Sequence, residues 1–70
     1  MPESISITLN GENHVLDANT TVDALISSLG MRAARVAVEI NRNIVDREKF
    51  SSIRIAAGDD VEIVNFVGGG

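Results

Sequence analysis

Two spacings of apolar residues alternate along this chain. Over Ser4 to Leu9, "SISITL", Ile5, Ile7 and Leu9 take every second position, with Ser4, Ser6 and Thr8 between them. That period of two is a pleated strand with one buried face. "NGEN" over 10–13 follows, and its Asn-Gly dipeptide marks a hairpin turn because both residues tolerate positive φ. "HVLDAN" over 14–19 is then expected to return antiparallel to the first strand. Val15 and Leu16 are neighbours, and only one can face inward without a bulge, so the register of this strand stays open.

At "TTVDALISSLG" the spacing changes. Val22, Leu25, Ile26 and Leu29 stand at i, i+3, i+4 and i+7, one stripe of a helix predicted over Val22 to Leu29. Thr21 is its expected N-cap, since a hydroxyl there accepts from an unpaired amide of the first turn. Asp23 suits the positive end of the helix dipole, and Gly30 suits the position after the C-cap.

"RVAVEIN" returns to a period of two with Val36, Val38 and Ile40 inward, in a stretch rich in β-branched residues. "NRN" at 41–43 reads as a turn, Ile44 and Val45 as a short strand, and "DREKF" as one polar helical turn anchored by Phe50. Ile53 and Ile55 bracket Arg54 in another short extended piece. "AAGDD" turns the chain again, and "VEIVNFV" is the last strand. One helix can cover one face of one sheet, so the expected class is α+β, with a mixed sheet of four to five strands packed on a single main helix. The expected division is a folded body over 1–67 and a flexible glycine tail over 68–70.

Composition narrows the function. A chain of 70 residues buries only about 60% of the surface its unfolded form exposes, which disfavours a deep catalytic cleft. Cysteine is absent, so neither disulfides nor thiolate metal sites support the core, and a reducing cytoplasm fits. The start "MPESISITLN" lacks the features of a signal peptide, and no apolar run approaches the roughly 18–20 residues a membrane span requires. Ten acidic against six basic residues give a net charge of −4. Nucleic acid is therefore disfavoured as a partner, because phosphate binding rests on clustered Lys and Arg. Phe50 and Phe66 are the only aromatics, too few for a base-stacking platform. An acidic surface suits a basic protein partner.

Candidate chemistry is sparse. His14 is the sole histidine, without a Cys, Ser or second His to complete a nucleophilic or metal site. It reads as a strand or hairpin-edge residue. "GDD" at 58–60 reads as a turn rather than a metal carboxylate pair, and "DREKF" as a solvated helical face. No metal ligand set is expected.

The last residues hold more promise. Alternation through the last strand places Val61, Ile63 and Asn65 on the core side and turns Glu62, Val64 and Phe66 outward. An exposed Phe beside an exposed Val marks a docking surface. "VGGG" comes directly after: three glycines reach about 10 Å when extended, and without Cβ atoms they enter channels closed to other residues. What they would deliver is an α-carboxylate, ionised at neutral pH and a poor electrophile until activated.

Taken together, "TTVDALISSLG", "VAVEINRNIVDREKF" and "AAGDDVEIVNFVGGG" resemble the ubiquitin-like β-grasp sulfur carriers, closest to those of thiamine biosynthesis. The likeness covers nearly the whole chain. It implies that an adenylating enzyme similar to ubiquitin-activating enzymes uses its own Mg-ATP to activate the carboxylate of Gly70. Sulfur from a cysteine persulfide then forms a thiocarboxylate, and thiazole synthase receives it. On this resemblance Val64, Phe66, Val67, Gly68 and Gly69 contact partners, and the carrier binds no cofactor and is a cosubstrate rather than an enzyme. Related expectations are a molybdopterin-synthase small subunit, a ubiquitin-like protein modifier, and a regulatory β-grasp domain whose tail is idle. Chain length and "VEINRNIVDRE" favour the thiamine carriers.

Overall fold

Two tight turns of one kind set the register of most of the sheet. In the computed structural model, which describes residues 3–66, Asn10 and Gly11 have φ of 50° and 84°, and Asn41 and Arg42 have 51° and 71°. Positive φ at both central residues gives the hairpin turn whose twist matches that of paired strands. Each turn takes two residues and hands the chain directly to the next strand. β1 (Ser4–Leu9) therefore pairs antiparallel with β2 (Glu12–Asp17), and β3 (Val36–Ile40) with β4 (Asn43–Val45). β2 begins at Glu12 rather than His14 because the turn does not need residues 12 and 13. It ends at Asp17, before Asn19 bends the chain at φ 73°. The open register resolves without a bulge: Ile5 faces Leu16, which packs against the core, and Ser6 faces Val15, which is exposed.

α1 (Val22–Ser28) starts where expected, with the Thr21 hydroxyl accepting from the Ala24 amide at 3.1 Å. Leu29 is its C-cap, and Gly30 follows at φ 74°. Val22, Leu25 and Ile26 are each 1% exposed, a stripe whose burial contributes roughly 1.5–3 kcal/mol per side chain. The first turn of α1 is also latched by backbone bonds. Val22 N–H donates to Ile53 O at 3.0 Å, Asp23 N–H to Phe50 O at 2.9 Å, and Ile55 N–H to Thr20 O at 2.9 Å. Phe50, buried, follows a single 3-10 turn at Arg47–Lys49, so "DREKF" is the anchored polar turn its pattern predicts.

β5 (Asp60–Asn65) completes one five-stranded sheet in the order β2-β1-β5-β3-β4. It runs parallel to β1 and antiparallel to β3, which makes the sheet mixed. Ile7, Val36, Val38, Val61 and Ile63 turn one face of it onto α1, Phe50 and Ile55. This is the α+β, single-helix architecture expected. Asn65 departs from expectation. It lies opposite the fully buried Val36 yet is itself exposed, because alternation decides which side of a strand a residue takes, and burial further requires something packed above it. Val67, the glycine tail over 68–70 and the boundary between body and tail lie outside the described residues.

Candidate functional site

The surroundings of β5 change along its length. β1 pairs with it only through Thr8 opposite Asp60 and Leu9 opposite Val61, because β1 turns away at Asn10 while β5 continues. The Asn10 backbone N–H still reaches Val61 O at 2.9 Å. Its side-chain amide then adds one further rung: Oδ1 accepts from the Ile63 N–H at 2.8 Å, and Nδ2 donates to the Ile63 carbonyl at 3.2 Å. Past Ile63, no strand among the described residues flanks β5 on that side. On the other side β3 continues, with Ala37 opposite Val64 and Val36 opposite Asn65. The last rung is the Phe66 N–H donating to Arg35 O at 2.7 Å.

The side chains divide in the same way. Val61 and Ile63 are buried, whereas Val64 is 57% and Phe66 55% exposed, as the alternation predicts. Ile44 is 77% exposed, and pattern reading did not single it out. Its orientation was implicit in the turn before it: the two-residue turn at Asn41–Arg42 places Ile44 opposite Glu39 and Val45 opposite the inward Val38. Val64, Ala37 and Ile44 thus share the face away from α1. A groove of about 280 Å³ beside the start of β3 is bordered by Ala37, Ile44 and Phe66 and, from the core side, by Val45, Phe50 and Arg47. Glu39 and Glu62 stand directly across from one another on this face, an arrangement of like charges that weakens pairing and favours an approaching cation. Val15 faces Ser6 on β1, with β1 between it and β5, and so lies away from this patch.

The remaining candidates have local tasks. Asp59 shapes its turn: Oδ2 accepts from the Ala56 N–H at 2.9 Å, and Oδ1 accepts from Asn41 Nδ2 at 3.0 Å. Asn41 Oδ1 accepts in turn from the Asp60 N–H at 2.9 Å, tying the start of β5 to the β3–β4 turn. His14 is half-buried opposite Ile7, beside a groove between β2 and α1. Among the described residues no three His, Asp or Glu side chains gather as a metal site, and no helix is long and apolar enough to cross a membrane. Gly68, Gly69, Gly70 and Val67 are outside the described residues, so the described part of the site is the surface from which they depart.

The family described as "ThiS family" matches residues 5–70. The chain belongs to the ThiS family. With the family comes the β-grasp fold seen above, one main helix on a five-stranded mixed sheet. It is 35% identical over 63 residues to the sulfur carrier protein ThiS of Bacillus subtilis, covering 89% of this chain and 96% of that one. The crystal structure of a thiamine biosynthesis protein (ThiS) from Geobacter metallireducens superposes with a TM-score of 0.77 at 35% identity, covering 94% of this chain and 100% of that one. The thiazole synthase of Magnetococcus marinus is 39% identical over 66 residues, 94% of this chain but 20% of its own length. The chain thus spans about a fifth of that relative. The kinship inferred from "TTVDALISSLG", "VAVEINRNIVDREKF" and "AAGDDVEIVNFVGGG" is therefore shown.

Proposed function

We propose that this ThiS-family chain carries sulfur as a thiocarboxylate on Gly70, for transfer to thiazole synthase in the cytoplasm. One observation carries the reading: Val64 and Phe66 are both more than half exposed on the strand segment that leads directly into "VGGG". A partner gripping them receives the glycine end at a fixed place. An α-carboxylate resists substitution because its leaving group is poor. Adenylation supplies a better one, AMP, and Mg-ATP for that step belongs to the adenylating enzyme. Persulfide sulfur then attacks the acyl carbon and expels AMP, leaving an acyl disulfide, and a second thiol cleaves the S–S bond to release the thiocarboxylate and a disulfide. The carrier acts as cosubstrate, contributing a docking face and a threadable end. The paired Glu39 and Glu62 beside Val64 suit a basic partner surface. A thiazole synthase that contains a module similar to this chain supports that enzyme as the sulfur acceptor.

The body and the tail have separate tasks in this reading. Deleting Gly69 and Gly70 leaves the melting temperature within about a degree, since no glycine side chain packs, and abolishes adenylation. Incubation of the intact chain with an adenylating enzyme, Mg-ATP, a persulfide donor and a thiol reductant adds the mass of one oxygen-to-sulfur exchange. Isopeptide conjugates to lysine in cells, with no thiocarboxylate, would overturn the sulfur-carrier reading in favour of a protein modifier.

A further inference from the structure

Arg47 sits in an exposed polar turn, yet its guanidinium is committed to backbone carbonyls of another segment. Nε donates to Ala33 O and Nη2 to Val36 O, both at 2.8 Å. These carbonyls bracket Arg35, whose own carbonyl accepts the Phe66 N–H. Successive carbonyls of a strand point to opposite sides. The Arg35 carbonyl is taken by β5, so that of Val36 points toward β4, which has already ended at Val45. The guanidinium fills the missing rung.

We propose that Arg47 is a positioning residue that fixes where β5 releases the chain toward its glycine tail, by holding both sides of the peptide that receives the Phe66 amide. The segment it grips has little support of its own. Ala33–Arg35 is a three-residue 3-10 turn with no side-chain cap and no buried residue. The clamp, by contrast, is rooted: the turn bearing Arg47 runs into Phe50, which is 3% exposed. Two charge-assisted bonds from one planar fork fix orientation as well as distance. The Arg47 side chain also borders the groove that Phe66 borders, so the clamp and the docking aromatic share one end of the sheet.

The consequence for activation rests on the sulfur-carrier reading, and two measurements separate the claims. By hydrogen exchange on the full chain, Arg47→Ala lowers protection of the Phe66 amide about tenfold, while the Ile63 amide, held by Asn10 from the opposite side, keeps its protection. With the adenylating enzyme, kcat falls about tenfold and KM changes by less than about twofold, because misplacing the reacting end by an ångström is felt in the chemical step. Arg47→Lys, which keeps the charge without the fork, falls between. Should Arg47→Ala not fold, the same comparison of Phe66 with Ile63 is made on Arg47→Lys. Unchanged Phe66 exchange, an equal loss at Val61, Ile63 and Phe66, or a normal kcat despite a freed Phe66 each overturns the proposal. Failure of the unmodified chain to be adenylated counts instead against the sulfur-carrier reading, and the exchange comparison still decides whether Arg47 holds Phe66.

Discussion

β5 is one strand with two neighbourhoods. From Asp60 to Ile63 it is held on both sides, by β1 and the Asn10 amide on one and by β3 on the other, with Val61 and Ile63 in the core. From Val64 onward it is held on one side, and its large side chains face solvent. The same backbone thus anchors the fold and then presents a surface, and the change falls where β1 turns away. On the proposed reading, stability and recognition occupy successive residues of one strand, so substitutions two positions apart are expected to act on different properties.

The comparison breaks most visibly at its boundary. Ile63→Ala is expected to cost about 2–5 kcal/mol through lost burial and a residual cavity, read as a lower urea midpoint; binding to the adenylating enzyme per folded molecule changes little. A cost under about 1 kcal/mol would mean that the held half is not the one that anchors the fold. Asn10→Ala comes next. It leaves both the amide and the carbonyl of Ile63 without their partner, for about 1–3 kcal/mol, and calorimetry showing no loss would make the side-chain rung redundant.

On the one-sided half the effects reverse. Val64→Asp and Phe66→Ala are expected to shift stability by no more than about 0.5 kcal/mol, as exposed positions do, while weakening adenylating-enzyme binding about tenfold, as loss of an apolar docking residue does. A stability loss near the 3–5 kcal/mol typical of a buried Phe would show that Phe66 packs rather than docks. The smallest expected effect sharpens the contrast. Glu62→Lys replaces repulsion across from Glu39 with attraction, adding roughly 0.2–1 kcal/mol of stability, and slows association with a basic partner surface. A gain in both stability and association rate would remove the acidic pair from the recognition surface.

Much of this was legible in the chain. The alternation of Ile5, Ile7 and Leu9, the stripe through Val22 and Ile26, and the Thr21 cap are local patterns, and local hydrogen bonding realises them. The outward turn of Val64 and Phe66 was legible for the same reason. What the pattern could not show depends on distance. Asn10 reads as a turn former, and it is one, but its amide also serves Ile63, 53 residues away. Arg47 reads as one charge in a solvated run, yet it reaches carbonyls 14 and 11 residues earlier in the chain. The register of Val15 and Leu16 needed knowledge of which of them meets Ile5. Asn65 had the right side and the wrong burial, because what lies above a strand end is not written in its period.

The parallel pairing of Thr8 and Leu9 with Asp60 and Val61 has a consequence for how the protein is made. Of the five strands, the last to emerge from the ribosome is the one that must slot into the middle of the sheet, between two partners synthesised long before. Until it arrives, β1 and β3 have an empty lane between them, and contacts so distant in sequence form slowly. A nascent chain therefore acquires its shape and its docking face together, once β5 has been made. Any partner that recognises that face thus meets it only on molecules whose sheet is complete.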